Sequence, residues 1–175
     1  MEDLALTVRQ ARPTDAADIA RVYIDSWHDT YPAMIPHGLL IAMSLSRQTA
    51  RWHAAIARRD AVLVAEDPHA GIIGMTSFGR ARDGALGLDG EVYTLYVDPG
   101  YLGRGAGRAL LSASFSGLAA RQCRSCVIWA HAQNNARFFY EAMGGKPVAE
   151  RVTQLTGAPT PEIAFGWASI ARGPH

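Results

Sequence analysis

The sequence predicts a single mixed α/β domain over residues 1–175, and three observations support that fold class. Strand-like and helix-like hydrophobic patterns follow one another in the order β α α α β β β α β α β β. The strand Glu91–Val97 is apolar on both faces, as expected of a central strand covered by helices. The 175 residues can bury one sizeable core, and no internal repeat, linker or low-complexity segment divides them.

Caps and helix breakers delimit the elements of the first half of the chain. Pro13-Thr14-Asp15 supplies a helix cap, and Tyr31-Pro32 ends the helix that follows. Asp67-Pro68-His69-Ala70 is typical of a hairpin turn. The predicted elements are a strand at Leu4–Ala11, a helix from Ala16 to about Asp29, a short helix from Pro36, a helix at Ser46–Arg58, and strands at Ala61–Glu66 and Gly71–Phe78.

The second half follows the same alternation after a loop rich in glycine and aspartate at residues 80–89. Gly144-Gly145 ends the last helix because glycine readily takes the left-handed conformation that terminates helices. The predicted elements are a strand at Glu91–Val97, a helix from about Gly105 to Arg121, a strand at Cys126–His131, a helix capped by Asn134 and running to Met143, and strands at Lys146–Thr153 and Glu162–Trp167.

Composition excludes several classes of function. With 49% hydrophobic and 19% charged residues and a formal net charge of +1, the chain has no global field to attract nucleic acid or a membrane surface. No apolar stretch has the length of a signal peptide or membrane span, so we expect a cytoplasmic protein. Cys123 and Cys126 lack a second ligand pair and are predicted to be structural thiols, and the six histidines lack metal-ligand spacing, so no metal site is predicted.

A glycine-rich turn follows the central strand and opens a helix. Gly103, Gly105 and Gly107 alternate with Arg104 and Ala106, and Arg108 follows. Glycine backbone can approach a ligand closely, and a helix N-terminus adds unsatisfied N–H donors and the positive end of a dipole. The pattern predicts a cradle for an anion, of which phosphate is the usual occupant.

The glycine spacing excludes two common phosphate sites. A P-loop requires a lysine and then a serine or threonine after its last glycine, and neither follows here. A dinucleotide fingerprint requires a third glycine where Arg108 stands, and an acidic residue about 20 positions later that this chain lacks. A nucleotide-binding protein of another type remains an alternative at this point.

At these residues the chain resembles the GNAT superfamily of acyl-CoA-dependent N-acyltransferases. The run Leu95 to Gly107 is similar to the family's pyrophosphate-binding pattern. The run Asn134 to Gly145, which contains Phe138-Phe139-Tyr140-Glu141, resembles the helix that follows about 30 residues later in the family. Ser26-Trp27 with Tyr31 and Trp52 resembles a bacterial branch of the family.

The resemblance implies a fold and an activity. The fold would be a central, mostly antiparallel mixed sheet of about seven strands flanked by helices. The activity would be transfer of the acetyl group of acetyl-CoA, as cosubstrate, to a primary amine of a small molecule or peptide. Leu102 stands where the family usually has Arg or Gln, and this departure keeps an alternative open, a non-catalytic acyl-CoA-binding module. The acceptor, the acyl length and a homodimer stay undecided.

Direct attack by an amine requires a base and an acid. A free alkylamine has a pKa near 10.4, so a base that removes a proton from it is useful at neutral pH. Glu91, at the start of a strand that is otherwise apolar, is the candidate base, directly or through a water. His131, at the end of the next strand, is the rival base. The resemblance implies that Tyr140 is the acid that protonates the leaving thiolate.

Binding residues follow from the same resemblance. The strand Leu95, Tyr96 and Val97 would hydrogen-bond the pantetheine arm as an added strand does, and Asn134 would contact that arm. The cofactor-binding set is completed by the cradle residues Gly103, Arg104, Gly105, Ala106, Gly107 and Arg108. On the acceptor side, we expect Trp27, Tyr31 and Tyr93 to line the substrate pocket, with Trp52 beside them, although core packing explains large aromatic residues equally well.

Overall fold

The computed structural model describes residues 6–154 and 157–174 of the chain, in which one sheet is flanked by helices. The strands are β1 (Thr7–Gln10), β2 (Ala61–Asp67), β3 (Gly71–Arg80), β4 (Gly90–Val97), β5 (Cys126–His131), β6 (Lys146–Thr153) and β7 (Thr160–Trp167). The helices are α1 (Ala16–Thr30), α2 (His37–Ile41), α3 (Leu45–Ala57), α4 (Ala106–Ala120) and α5 (Ala136–Ala142). These agree with the predicted elements to within a few residues, but Leu4 and Ala5 of the first predicted strand lie outside the described residues.

The sheet confirms the predicted fold class. Its strand order is β1-β2-β3-β4-β5-β7-β6, so that β4 is the central strand, as its apolar sequence predicts. All neighbouring strands pair antiparallel except β4 and β5, which are parallel and are joined by the crossover helix α4. None of the helices in the described part of the chain is long and apolar enough to cross a membrane.

Two hydrophobic clusters hold the helices against opposite faces of the sheet. On one face α1 and α3 pack on β2 and β3 through Ile19, Val22, Trp52, Val62 and Met75. On the other face α4 and α5 pack through Leu111, Phe115, Tyr140, Phe165 and Trp167. Cys123 and Cys126 belong to the second cluster as free, buried thiols, and burial raises the pKa of Cys126 to about 12, which agrees with the structural role predicted for the pair.

The pairing of β4 with β5 stops early, and this opens the sheet. Parallel pairing covers only Gly90 to Val92 against Cys126 to Ile128, after which the two strands separate. Against β3, Ser77 pairs with Thr94 but Phe78 pairs with Val92, so Tyr93 is an extra residue on β4. This β-bulge changes the alternation of side chains, so that Glu91 shares a face with Thr94 and Tyr96 rather than with Leu95.

Asp89 fixes the point at which β4 and β5 begin to pair. Its carboxylate accepts hydrogen bonds from the backbone N–H groups of Arg124 (2.9 Å) and Ser125 (2.8 Å) and from the Ser125 hydroxyl (2.7 Å). Burial alone would raise the pKa of Asp89. Together, these hydrogen bonds outweigh the effect of burial and lower the pKa to about 2. The ionised carboxylate therefore stabilises the junction between the two strands.

Replacing Asp89 tests that stabilisation. The native pKa of Asp89, about 2, lies below the ordinary value of 3.8. The stabilisation of the folded state by the ionised carboxylate is therefore complete above pH 3.8 and is lost as the pH falls toward 2. We expect Asp89→Asn to lower the free energy of unfolding at pH 7 by about 1–2 kcal/mol, after allowance for solvent screening. Urea unfolding measures this free energy. The control is Asp83→Asn, which replaces an exposed carboxylate of the same loop. A difference between wild type and Asp89→Asn that stays constant from about pH 5 to about pH 2 would contradict the assignment.

Candidate active site

Two neighbouring cavities lie near the opening between β4 and β5. One, which we call the splay groove, has a volume of about 690 Å³ and runs from β4 past the N-terminus of α4 to α5. The other, which we call the aromatic pocket, has a volume of about 970 Å³ and lies on the α1 and α3 side of the sheet. The two share five wall residues, Tyr31, Tyr93, Thr94, Tyr96 and Trp129. The two cavities therefore adjoin at these side chains.

The edge of β4 presents free backbone groups to the splay groove. The Asp98 N–H donates to the carbonyl of Ile73 on β3 (2.7 Å), and antiparallel bonding alternates along the strand. The backbone groups of Leu95 and Val97 therefore point away from β3, toward the groove. The Ser26 hydroxyl donates to the Val97 carbonyl (3.1 Å), and no strand in the described residues pairs with the rest of this edge. An extended, amide-containing ligand could complete it.

The glycine-rich turn closes the other end of the splay groove. Gly103 and Gly105 have φ angles of +75° and +89°, which disfavour any residue with a Cβ, and Gly105 caps α4. The first N–H groups of α4 have no partner within the helix and lie at this end of the groove. Arg108 and the exposed Leu102 line it too. This end of the groove is suited to an anion.

Tyr140 lies on α5 between the groove and the second hydrophobic cluster. It is 5% exposed, and its ring packs against Phe139, Phe165 and Trp167. Burial raises the pKa of the phenol above its usual range, so the group stays protonated at neutral pH. The hydroxyl forms no hydrogen bond with any residue that the structure describes. Its proton is therefore available to a ligand.

Asn134 joins α5 to the aromatic pocket. Its Oδ1 accepts from the N–H of Ala136 (2.8 Å), which is the side-chain cap that the sequence predicts, although Asn135 occupies the N-cap position of the backbone. Its Nδ2 donates to the Tyr31 hydroxyl (3.3 Å). Burial raises the pKa of Tyr31 to about 12, so this wall residue is also a neutral phenol. The Asn134 side chain thus links the start of α5, beside the groove, to a wall residue of the aromatic pocket.

The aromatic pocket is walled by rings that contact one another. Trp27 lies 4.5 Å from Tyr31 and 5.5 Å from Tyr23 between ring centroids, and Tyr23 contacts Trp52 and Tyr96. The Trp27 indole N–H donates to the Tyr96 hydroxyl (3.1 Å). These rings form part of the core and line the cavity as well. The core and substrate interpretations of these residues are therefore compatible.

Glu91 is buried in the aromatic pocket with a counter-ion. It is 2% exposed; its Oε1 accepts from Arg82 Nη2 (2.6 Å) and Nε (3.1 Å), and its Oε2 accepts from the Arg82 backbone N–H (2.9 Å). The Arg82 guanidinium also lies 4.6 Å from the centroid of the Tyr93 ring. Of about four acceptor positions on a carboxylate, one on Oε2 remains open. Sequence reasoning missed Arg82 because no local pattern links a loop arginine to a residue nine positions later.

His131 is buried at the far wall of the aromatic pocket. It is 6% exposed, and burial lowers the pKa of its imidazole, so the ring is neutral at pH 7. Its Nδ1 accepts a hydrogen bond from the Gln133 backbone N–H (3.1 Å). This assigns the proton of the neutral ring to Nε2. The ring nitrogen that remains free is a hydrogen-bond donor.

Comparison with known proteins identifies the family. A model of the acetyltransferase (GNAT) domain matches residues 58–144. A Bacillus subtilis (strain 168) protein, uncharacterized N-acetyltransferase YuaI, is 33% identical over 166 residues, which are 95% of each chain. This chain belongs to the GNAT acetyltransferase family. As a GNAT acetyltransferase it is an acyl-CoA-dependent enzyme with acetyl-CoA as cosubstrate.

Solved GNAT structures share the fold. A GCN5-related N-acetyltransferase from Rhodopseudomonas palustris superposes with a TM-score of 0.73 at 20% identity, covering 92% of this chain and 94% of the other. The yncA structure from Salmonella typhimurium, solved with acetyl-CoA, superposes with a TM-score of 0.68 at 24% identity and covers 98% of both chains. The resemblance at this level of identity concerns the fold.

The splay groove fits acetyl-CoA on the geometry of this chain alone. The free edge at Leu95 and Val97 matches the amides of a pantetheine arm, and the positive-φ glycines at the α4 N-terminus match a pyrophosphate. The structure places eight of the ten predicted cofactor-binding residues on the groove wall, namely Leu95, Tyr96, Val97, Gly103, Gly105, Gly107, Arg108 and Asn134. The other two lie elsewhere: Arg104 is directed over the Tyr101 ring at 5.0 Å, and Ala106 is buried at 1% exposure.

The remaining predicted site residues lie around the two cavities. Tyr140 lines the groove, whereas Glu91 and Trp27 line the aromatic pocket. Tyr31 and Tyr93 line both cavities. The pocket wall also includes Tyr23, which the sequence did not single out as a site residue. Its position one turn before Trp27 was the only signal that could have placed it there.

A single added methyl group at Gly105 tests the cradle of this GNAT protein. Alanine at a φ of +89° is strained by about 1 kcal/mol or more, and relief of that strain would rotate the N–H groups away from the anion. We expect Gly105→Ala to raise the acetyl-CoA dissociation constant about tenfold, measured by isothermal titration. Gly84→Ala is the control, since Gly84 lies in open space without positive φ. Unchanged affinity in Gly105→Ala would mean that the anion binds elsewhere.

Proposed function

We propose that this GNAT protein acetylates a primary amine held in the aromatic pocket, with Glu91 as the base through a water and Tyr140 as the acid. The observation that carries the proposal is the junction of the two cavities. The acetyl thioester supplies the carbonyl carbon that the amine attacks and the sulfur that leaves. An acceptor in the pocket and a thioester in the groove would meet at the wall formed by Tyr31, Tyr93 and Tyr96.

The hydrogen bonds of Glu91 support a role through a water. Arg82 occupies three acceptor positions of the carboxylate, so one lone pair of Oε2 is left to hold a water that accepts the amine proton. His131 is the weaker candidate for base because the lone pair on Nδ1 already accepts from Gln133. With the proton on Nε2, His131 would instead donate a hydrogen bond to the acceptor.

The environment of Tyr140 supports the role of acid. A protonated phenol without a partner in the described residues can give its proton to the sulfur as the carbon–sulfur bond breaks. Backbone N–H groups on the free edge of β4 are suited to stabilise the negative charge that develops on the carbonyl oxygen. Each step of the proposed reaction thus has a group of this chain in reach of one of the two cavities.

A panel of amines with acetyl-CoA tests the function, with release of free thiol as the readout. We expect turnover of at least one amine by the wild type and a fall in kcat of about 10²-fold in Tyr140→Phe. Because the Tyr140 hydroxyl bonds no described residue, Phe preserves the packing, and acetyl-CoA affinity and thermal stability should stay unchanged.

The outcomes separate the alternatives. Binding of acetyl-CoA without turnover of any amine would support the non-catalytic acyl-CoA-binding module that the Leu102 departure motivates. Absence of acetyl-CoA binding would contradict both functions. An unchanged kcat in Tyr140→Phe would remove that residue from the chemistry while leaving the acetyltransferase activity in place.

A double-mutant cycle tests the paired roles of Glu91 and Arg82. We expect Glu91→Gln to lower kcat about 10²-fold, because the water loses its base. Arg82→Met leaves a buried charge without its counter-ion, and since the Arg82 side chain is 63% exposed, water compensates in part. The expected loss of unfolding free energy is about 1–2 kcal/mol, measured by urea unfolding. The double variant Glu91→Gln/Arg82→Met should regain much of the lost unfolding free energy but none of the lost kcat. Full activity in Glu91→Gln would exclude Glu91 as the base.

A further inference from the structure

The aromatic pocket carries an excess of positive charge that acetyl transfer by itself does not require. Among the residues that the structure describes, six arginines and three acidic residues line it, giving a formal charge of +3 with His131 neutral. The arginines are Arg51, Arg58, Arg59, Arg82, Arg121 and Arg151, and the acids are Asp60, Glu91 and Glu162. A simple cationic amine or a polyamine would meet net repulsion in such a cavity.

Every acidic residue on the pocket wall already has an arginine partner. Arg58 pairs with Asp60 (2.9 Å) and Arg151 pairs with Glu162 (2.7 Å), while Arg82 holds Glu91 as described above. In the described parts of the chain, no carboxylate that lines the pocket is therefore left unpaired to receive an ammonium group. The excess charge resides on the arginines that have no acidic partner among the described residues.

Arg51 is an unpaired arginine that lies over two aromatic rings of the pocket at once. Its guanidinium carbon lies 5.2 Å from the Trp52 centroid and 5.8 Å from the Tyr23 centroid. By contrast, Arg121 lies over Phe78 and donates to the Gly117 carbonyl. One side of the Arg51 guanidinium also interacts with the Tyr23 hydroxyl, and its other in-plane N–H donors form a fork that matches the geometry of a carboxylate.

The neighbouring Trp52 adds an unsatisfied donor. Its indole Nε1 is buried and has no hydrogen-bond partner in the described part of the chain. A buried polar group without a partner costs free energy, but this nitrogen has almost no accessible surface, so a ligand could bond it only if the ring shifts; Arg51 is the donor that lines the pocket. Arg51 and Trp52 are adjacent on α3, and both offer donors and no acceptor.

We infer that the acceptor is an amine that also carries a carboxylate, such as a free α-amino acid, and that Arg51 binds the carboxylate; this inference rests on the proposed acetyltransferase function. The carboxylate compensates the positive charge of the pocket. The same positive charge disfavours the ammonium form of the substrate and so increases the fraction of neutral, nucleophilic amine. A cavity of about 970 Å³ is in the range of small-molecule sites.

Matched acceptors test the inference. L-leucine, L-methionine and L-phenylalanine are each compared with the decarboxylated amine and the carboxamide, with thiol release as the readout. We expect kcat/KM for the acids that are acetylated to exceed that of their partners about tenfold or more. Arg51→Gln should remove this preference by raising KM for the acid, while the decarboxylated amine changes less than about twofold. Arg51→Lys should keep part of it.

A second arginine on α3 provides the control. Arg47 lies one turn earlier, is exposed and does not line the pocket, so Arg47→Gln removes the same charge from the same helix. It should leave the preference for the carboxylate intact. Equal turnover of acids and decarboxylated amines by the wild type, or an equal loss for both in Arg51→Gln, would overturn the inference and leave the acetyltransferase function standing.

Binding separates failure of the inference from failure of the function. If the wild type acetylates no amine, the proposed function fails, and the same acids are then titrated onto the CoA-loaded protein with tryptophan fluorescence as the readout. Binding that requires the carboxylate and is lost in Arg51→Gln would still assign this site to a carboxylate. No binding of any acid would overturn that assignment.

Discussion

The separation of β4 from β5 after three residue pairs is the constraint on which the site depends. Parallel strands normally satisfy each other's backbone groups along their length. Here Leu95 and Val97 are left with backbone groups that no strand within residues 6–154 and 157–174 pairs with. The Ser26 hydroxyl donates a hydrogen bond to the Val97 carbonyl. The other backbone groups of this edge can be paired only by a ligand or by water. The gap therefore gives the groove its shape and also provides its binding groups. Asp89 fixes where it begins, because it anchors the start of β5 to the residue before β4.

Buried charge sets the chemistry of the second cavity. A carboxylate as deeply buried as Glu91 requires a counter-ion, and Arg82 provides one from a loop that can approach from solvent. The partner that permits burial also occupies most of the hydrogen-bonding capacity of the carboxylate. In the role we propose for it, a carboxylate held in this way would act more readily on a water than directly on an amine. The stability of the fold and the proposed indirect proton transfer thus both depend on one ion pair.

Sequence reasoning reached the helices, strands and family of this chain because those depend on local periodicity and on short motifs. The central position of β4 followed from its apolar faces, and Gly105 from its place before α4. The bulge at Tyr93 could not be predicted, since it is defined only by the register against β3. Arg82 and Tyr23 were missed for a similar reason. Their roles arise from contacts with residues on other elements, and no spacing within one element encodes them.

The two cavities are coupled through side chains that serve both. Asn134 caps α5, which carries Tyr140 into the groove, and the same amide donates to Tyr31 in the wall of the aromatic pocket. Displacing Tyr31 would therefore disturb the start of the helix that carries the proposed acid. Such a link gives a physical reason for acceptor and cosubstrate sites to be ordered together. Because hydrogen bonds are directional, a shift of the Tyr31 hydroxyl on the acceptor side would act through Asn134 on the start of α5 and so on the position of the Tyr140 phenol.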